Sequence, residues 1–261
     1  MKSDLALILE TAREAGVLAR RLKSEGLKIW SKSGGSPVTN ADIAVDELLK
    51  ARLEAARPDY GWLSEETADD PARLTRSRLF VVDPIDGTAA YLKDRPWWSV
   101  SIAVVEDGRP VAGVVFAPEL DEAFTAMVGG GAFLNDAVIQ ASGQDQVEDC
   151  RMLGDAPMFR HPAWREPWPP MHIESRNSIA YRMSLVAEGR FDAALALSGK
   201  SEWDLAAAEL ICAEAGAVCT DHKGRDYAYN QPNPRMPSLV CAAPALHPLI
   251  LARVRHIDLP N

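Results

Sequence analysis

Several familiar signals are missing from this chain of 261 residues. No apolar stretch approaches the ~20 residues needed to cross a bilayer, which argues against a membrane-spanning helix and a membrane partner. Basic residues are in deficit, with 28 Lys and Arg against 37 Asp and Glu and a formal net charge of −9. A nucleic-acid polymer requires a basic stripe to neutralise its phosphates, so that partner is not expected either. The four cysteines, Cys150, Cys212, Cys219 and Cys241, show no CxxC spacing and no clustered histidine partners. They offer no zinc motif and read as reduced, mostly buried thiols of a cytoplasmic protein. Met1-Lys2-Ser3-Asp4 leads into an amphipathic pattern, not the apolar block of a signal peptide. The five histidines, among them His161 and His172, lack relay spacing and take no catalytic role. Internal repeats and low-complexity tails are absent.

What is present is an ordinary globular composition, 47% hydrophobic and 25% charged, sufficient for a large core. Leu5, Ile8, Leu9, Ala12, Ala15, Ala19 and Leu22 recur at helical spacing, and the Ser33–Pro37 run separates this helix from a second that begins near Asn40 or Ala41. Strand patterns follow over Leu79–Val82, Ser99–Val105, Val111–Ala117, Ala123–Val128 and Ala137–Ala141. Turn signals at Asp107-Gly108 and Gly129-Gly130-Gly131 are consistent with antiparallel hairpins. After an irregular Pro- and Trp-rich stretch over Ala156–Pro170, helical and strand patterns alternate over Ser178–Glu188, Phe191–Leu197, Trp203–Ala215, Ser238–Ala242 and Leu246–Arg255. The order implies an α+β layered sandwich. Residues 1–150 are expected to form an N-terminal half and residues 151–261 a C-terminal half of one compact unit.

The chemistry concentrates in acidic residues at element ends. Val81-Val82-Asp83-Pro84-Ile85-Asp86-Gly87-Thr88 places two carboxylates at the mouth of a short apolar strand, where Pro84 and Gly87 are expected to turn the chain out of the sheet. Two such carboxylates repel unless a cation lies between them, and a hard, oxygen-rich site suits Mg²⁺. The plainer reading of this stretch alone is an acidic surface turn. Upstream, Ser36-Pro37-Val38-Thr39-Asn40-Ala41-Asp42 opens a helix and Gly61-Trp62-Leu63-Ser64-Glu65-Glu66-Thr67 carries a carboxylate pair. Downstream, Glu202-Trp203-Asp204 starts an Ala-rich helix. Taken singly, Asp42 and Asp204 read as helix-start acids that offset the macrodipole. Glu66 reads as a solvated charge, and Trp97, Trp98, Trp164, Trp168 and Trp203 as packing.

As an ordered set, Asp42, Ser64-Glu65-Glu66, Asp83-Pro84-Ile85-Asp86-Gly87-Thr88 and Trp203-Asp204-Leu205-Ala206-Ala207 resemble the inositol monophosphatase superfamily of Mg²⁺-dependent, lithium-sensitive phosphatases, over nearly the whole chain. The resemblance implies a five-layer αβαβα arrangement and two or three Mg²⁺ per site. It implies that Glu65, Asp83 and the Ile85 carbonyl hold one ion, and that Asp83 bridges to a second completed by Asp86 and Asp204. Thr88, Asp42 and Glu65 would then orient and deprotonate the attacking water. The amides of Gly87 and Thr88 would face the phosphate at a helix N-terminus, with Asp86 and Asp204 beside the substrate. Arg176 and Lys200 fall in segments that the family places near the substrate mouth, where a second phosphate would meet them, although surface solvation is the plainer reading of each. The family is commonly homodimeric, and the same assembly is expected here.

Departures from the family pattern bear on substrate. Ala89-Ala90-Tyr91 stands where an Asn is frequent, and Ala208 where a Gly is usual. Leu195-Ala196-Leu197-Ser198-Gly199-Lys200 lacks the carboxylate that inositol-specific members use for sugar hydroxyls. Glu202-Trp203-Asp204 resembles the 3′(2′),5′-bisphosphate nucleotidases, whereas Gly131-Ala132-Phe133-Leu134-Asn135 resembles an inositol-phosphatase hairpin. The expected substrate is a small phosphate ester, leaning to the bisphosphate nucleotide. Inositol 1-phosphate, histidinol phosphate and sugar phosphates stand as alternatives. A catalytically silent metal- or phosphate-binding protein, or an assembly protein, is the non-enzymatic alternative.

Overall fold

The computed structural model describes residues 1–31, 37–162 and 164–259, so the Ser33–Ser36 part of the expected helix break lies outside the described residues. Seven helices are labelled in chain order: α1 Lys2–Glu25, α2 Asn40–Ala56, α3 Thr88–Leu92, α4 Ala156–Phe159, α5 Ile179–Ala187, α6 Glu202–Glu214 and α7 His247–Val254. A seven-stranded sheet is built from Gly61–Ser64, Arg78–Asp86, Ser99–Glu106, Arg109–Ala117, Glu122–Met127, Ala132–Leu134 and Ala137–Val138, in that spatial order. Its first pair is parallel and the rest antiparallel. A mixed five-stranded sheet runs His172–Glu174, Arg151–Leu153, Ala193–Ala196, Leu239–Ala242, Val218–Thr220.

The layers follow from which faces are apolar. α1 buries Ile8, Ala12, Ala15 and Ala19 against α2 and the outer face of the large sheet, with Val45, Leu49 and Leu53 of α2 in the same cluster. α5 and α6 pack against each other and fill the space between the two sheets. α7 covers the far face of the small sheet through Leu246, Ile250 and Val254. The result is the α, β, α, β, α layering expected from the resemblance. Each buried leucine or isoleucine contributes roughly 1.5–3 kcal/mol of transfer free energy, while the small residues of α6 set its distance from the large sheet. Gly113 shows how close that is: a Cβ there would stand 2.8 Å from the Ala207 carbonyl oxygen.

Two expectations need correction. The Ala137–Ala141 strand is only Ala137–Val138: Ile139 still donates in register to the Ala132 carbonyl, but Ala141 leaves the sheet to donate to the Ala215 carbonyl. More important, the strand expected to end at Val82 continues through Pro84 to Asp86. Asp83 opposes Ser101 and Asp86 opposes Ser99, so Pro84 and Ile85 together stand against Val100 as a one-residue bulge. Proline is tolerated at a bulge because the amide it lacks is not needed by the ladder. In an unbroken strand, residues three apart point to opposite faces. The extra residue brings Asp83 and Asp86 to the same side.

Candidate active site

The bulge sets the first two acids, and α6 brings the third from the other half of the chain. Carboxylate oxygens of Asp83, Asp86 and Asp204 lie within 4.8 Å of one another. Asp83 and Asp86 are buried, and burial pushes the Asp83 carboxyl well above its usual range, with Glu65, Asp86, Asp204 and Asp42 adding repulsion in that order. Burial, then Asp86 and Glu65, raise Asp204 to about 7 against the Ser201 amide and Lys200. Asp86 is raised to about 6, mainly by burial and against three hydrogen bonds that favour its anion. All five acids singled out in the sequence therefore meet in one electrostatic field.

Each acid also has a structural duty. Asp42 is the third residue of α2, and its Oδ2 accepts from the Thr39 amide at 2.8 Å, while Thr39 Oγ accepts from the amides of Ala41 and Asp42. Its Oδ1 lies 3.2 Å from Thr88 Oγ, which is also 3.2 Å from the Ile85 carbonyl oxygen. Asp204 is the third residue of α6, and its Oδ2 accepts from the Ser201 amide at 2.7 Å. The helix-start reading of both acids is thus correct and compatible with their place in the cluster. Asp83 Oδ1 accepts from the Ile85 amide at 3.1 Å, which closes the bulge.

Residues that sequence reasoning passed over hold these groups in place. Asp86 Oδ2 accepts from Ser178 Oγ at 2.6 Å and from the Ala180 amide at 2.7 Å, and Oδ1 accepts from the Ile179 amide at 3.1 Å. The N-terminus of α5, 92 residues downstream, is therefore the clamp on Asp86. Gly87 permits this approach. Its φ is +92°, and a Cβ would come within 2.9 Å of the Ser178 amide nitrogen. Ser178 was legible as a helix start, but nothing in the sequence names its partner. Asp46, one turn after Asp42, accepts from Ser64 Oγ and Thr67 Oγ1 and so anchors both flanks of Glu65 and Glu66. The Glu65 amide donates to the Val82 carbonyl at 3.3 Å, which ties that loop to the bulged strand.

The cations divide. Lys200 donates to Ser198 Oγ at 2.9 Å, and its ammonium is pulled down chiefly by burial, while Asp204 and Asp86 act to raise it and Arg182 and Arg235 to lower it. Arg182, in α5, feels Asp86 as its strongest attractive charge and was not singled out from sequence. The Arg176 guanidinium is engaged elsewhere: it pairs with Glu174 at 2.5 Å and lies 4.4 Å over the Trp97 ring. Gly87 and Thr88 begin α3, and no side chain caps that helix.

The cluster itself offers carboxylate oxygens, and three carboxylates pressed together by the fold favour a hard divalent cation. The residues present fit such an ion.

Comparison with known proteins agrees with the geometry. The model of the inositol monophosphatase family matches residues 2–259. An inositol-1-monophosphatase of Mesorhizobium japonicum is 34% identical over 230 residues, covering 84% of this chain and 86% of its own. The 3′(2′),5′-bisphosphate nucleotidase CysQ of Aggregatibacter actinomycetemcomitans is 29% identical over 246 residues, 86% of each chain. Among solved structures, the extragenic suppressor protein suhB of Bartonella henselae superposes with a TM-score of 0.85 at 27% identity, covering 97% of this chain and 98% of that one.

Proposed function

The chain belongs to the inositol monophosphatase family and is a phosphoric monoester hydrolase; from that premise we propose that it is a Mg²⁺-dependent phosphatase of a small phosphate ester bearing a second anionic group, with 3′(2′),5′-bisphosphate nucleotides first in line. The observation that carries the metal-dependent part is the convergence of Asp83, Asp86 and Asp204 within 4.8 Å, with Asp42 and Thr88 alongside. Glu65, Asp83 and the Ile85 carbonyl would hold one ion. Asp83 would be shared with a second held by Asp86 and Asp204, and a weaker third would sit near Glu65. Bound there, Mg²⁺ supplies positive charge to the phosphoryl oxygens and the departing alkoxide.

The chain's own groups do the rest. Thr88 Oγ, set between Asp42 and the Ile85 carbonyl, positions the attacking water, and Asp42 Oδ1 with Glu65 takes its proton. The Gly87 and Thr88 amides receive phosphoryl oxygens. Residues 1–150 supply the bulged strand and residues 151–261 supply Asp204 and the Ser178 clamp, so neither half acts alone.

Two observations favour a second anion on the substrate. Lys200, Arg182 and Arg235 share one electrostatic neighbourhood with Asp204 and Asp86. The segment Leu195-Ala196-Leu197-Ser198-Gly199-Lys200 has no carboxylate to meet sugar hydroxyls. Steady-state hydrolysis of 3′-phosphoadenosine 5′-phosphate, inositol 1-phosphate and histidinol phosphate, with Mg²⁺ and with Li⁺ added, tests this. A kcat/KM higher for the bisphosphate by tenfold or more is expected, and an excess for inositol 1-phosphate overturns the choice of substrate. Absence of Mg²⁺-dependent phosphate release would favour a silent binding protein. Homodimeric assembly, on family likeness, and a cytoplasmic location, on the unpaired cysteines, complete the proposal, and light scattering and cell fractionation test them.

A further inference from the structure

Three of the four cysteines, which the chemistry above does not use, meet behind α6. Cys212 lies on that helix, two turns past Asp204, and is fully enclosed. Cys219 and Cys241 oppose each other directly across the antiparallel strands Val218–Thr220 and Leu239–Ala242. The three sulfurs lie within 4.8 Å of one another, and Cys212 Sγ is 3.6 Å from Cys241 Sγ. The spacing in sequence gave no hint of this cluster. Access distinguishes its members. Cys241 is enclosed like Cys212, whereas Cys219 is half-buried, because its strand forms the edge of the small sheet.

We propose that Cys219 and Cys241 form an oxidation site at which a hydroperoxide closes a cross-strand disulfide. Opposed residues of an antiparallel pair have Cα atoms roughly 4.5–5.5 Å apart, inside the window of about 4.4–6.8 Å that a disulfide spans. In the first step the Cys219 sulfur attacks the peroxide while the thiol proton passes to the departing oxygen: the O–O bond breaks, Cys219 becomes a sulfenic acid, and water or an alcohol leaves. In the second, the Cys241 thiolate attacks that sulfur, the S–S bond forms, the S–O bond breaks, and the leaving hydroxide takes a proton to become water. Two thiols give up two electrons and one peroxide accepts them. Hydrogen bonds from Cys212 and Cys219 hold the Cys241 thiol below the usual thiol range, which favours the attacking form in the second step. Cys219, lowered by its bond with Cys212 but raised further by its bond to Cys241 and by burial, stays well above that range and enters the first step as a thiol.

Soft thiolates also attract d¹⁰ cations, but charge decides against that occupant. Three thiolates around Cu⁺ or Zn²⁺ retain net negative charge, which is costly in a buried place. The partly buried Glu209, already raised to about 7 mainly by burial and further by Cys219, would add to the repulsion. A disulfide is neutral and requires only two of the three sulfurs.

The test uses the intact chain, reduced, exposed to hydrogen peroxide, then alkylated in denaturant and mapped by mass spectrometry. The expected result is loss of two of the four thiols, a linked Cys219–Cys241 peptide, recovery of all thiols with dithiothreitol, and a higher melting temperature for the oxidised form. Cys219→Ala should keep its remaining thiols at the same exposure, and Cys241→Ala should stop at a sulfenic acid that dimedone traps. Should a variant fail to fold, mapping of the wild-type chain decides alone. Full retention of thiols, linkage of a different pair, or equimolar Cd²⁺ held with a thiolate charge-transfer band would each overturn the proposal, the last in favour of a metal site.

Discussion

α2 and α6 begin alike and serve different ends. In each, the third residue is an aspartate that returns one oxygen to the amide of the residue before the helix, at 2.8 Å to Thr39 and 2.7 Å to Ser201. In each, the second oxygen is left for something else. Asp42 accepts from the Thr88 hydroxyl through its second oxygen, whereas the Asp204 carboxylate lies within 4.8 Å of those of Asp83 and Asp86. A helix start can therefore orient an acid of the candidate site at no loss to the helix, because a carboxylate has lone pairs to spare after capping. Which duty the free oxygen takes depends on what the layers place opposite it.

The sharpest way to break this comparison is Asp204→Asn. An asparagine keeps a capping oxygen but not the charge, so helix content should hold while kcat at saturating Mg²⁺ falls roughly a thousandfold, the several kcal/mol expected of charge stabilisation at the reacting centre. Retained turnover would reduce Asp204 to a cap. Asp42→Asn should lower kcat by about a hundredfold, the lower end for a positioned proton acceptor, with the Mg²⁺ requirement unchanged. A shifted Mg²⁺ requirement would instead assign Asp42 to the ion.

A third contrast appears on chelation. With Asp204 raised to about 7 and Asp86 to about 6, the folded protein binds more protons than the unfolded chain between about pH 4 and 7. Stability of the chelated protein should therefore fall by several kcal/mol as pH rises through that window. Mg²⁺ at about a hundred times its Kd should restore about 2.7 kcal/mol. Thermal melts across pH check both, and Asp204→Asn should flatten the slope more than Asp42→Asn. The smallest effect concerns the caps themselves. Thr39→Ala should cost about 1 kcal/mol in denaturant unfolding, and Ser201→Ala less, since it is the Ser201 amide that binds Asp204.

Much of this was legible. Helical periodicity located α1, α2, α5, α6 and α7 to within a few residues, because their apolar faces are regular. Apolar runs located the long strands for the same reason. The five acids could be singled out because their ordered motifs resemble a family. What was not legible has a common cause. Pro84 read as the end of a strand, because a bulge depends on the partner strand opposite it. Ser178, Asp46 and Arg182 were ordinary helix residues until the fold placed them against Asp86, Ser64 and Lys200. Cys212, Cys219 and Cys241 had no motif, since they meet through a helix and two strands.

By itself the sequence determined the elements, their apolar faces and the supply of carboxylates, because these depend on backbone preference and on period along the chain. The tertiary structure alone decided that Asp83 and Asp86 face one way, that Asp204 reaches them from 118 residues later (204 − 86), and that α5 clamps Asp86. Those outcomes are distances between segments, and such distances are fixed only when the layers close and burial forces like charges together.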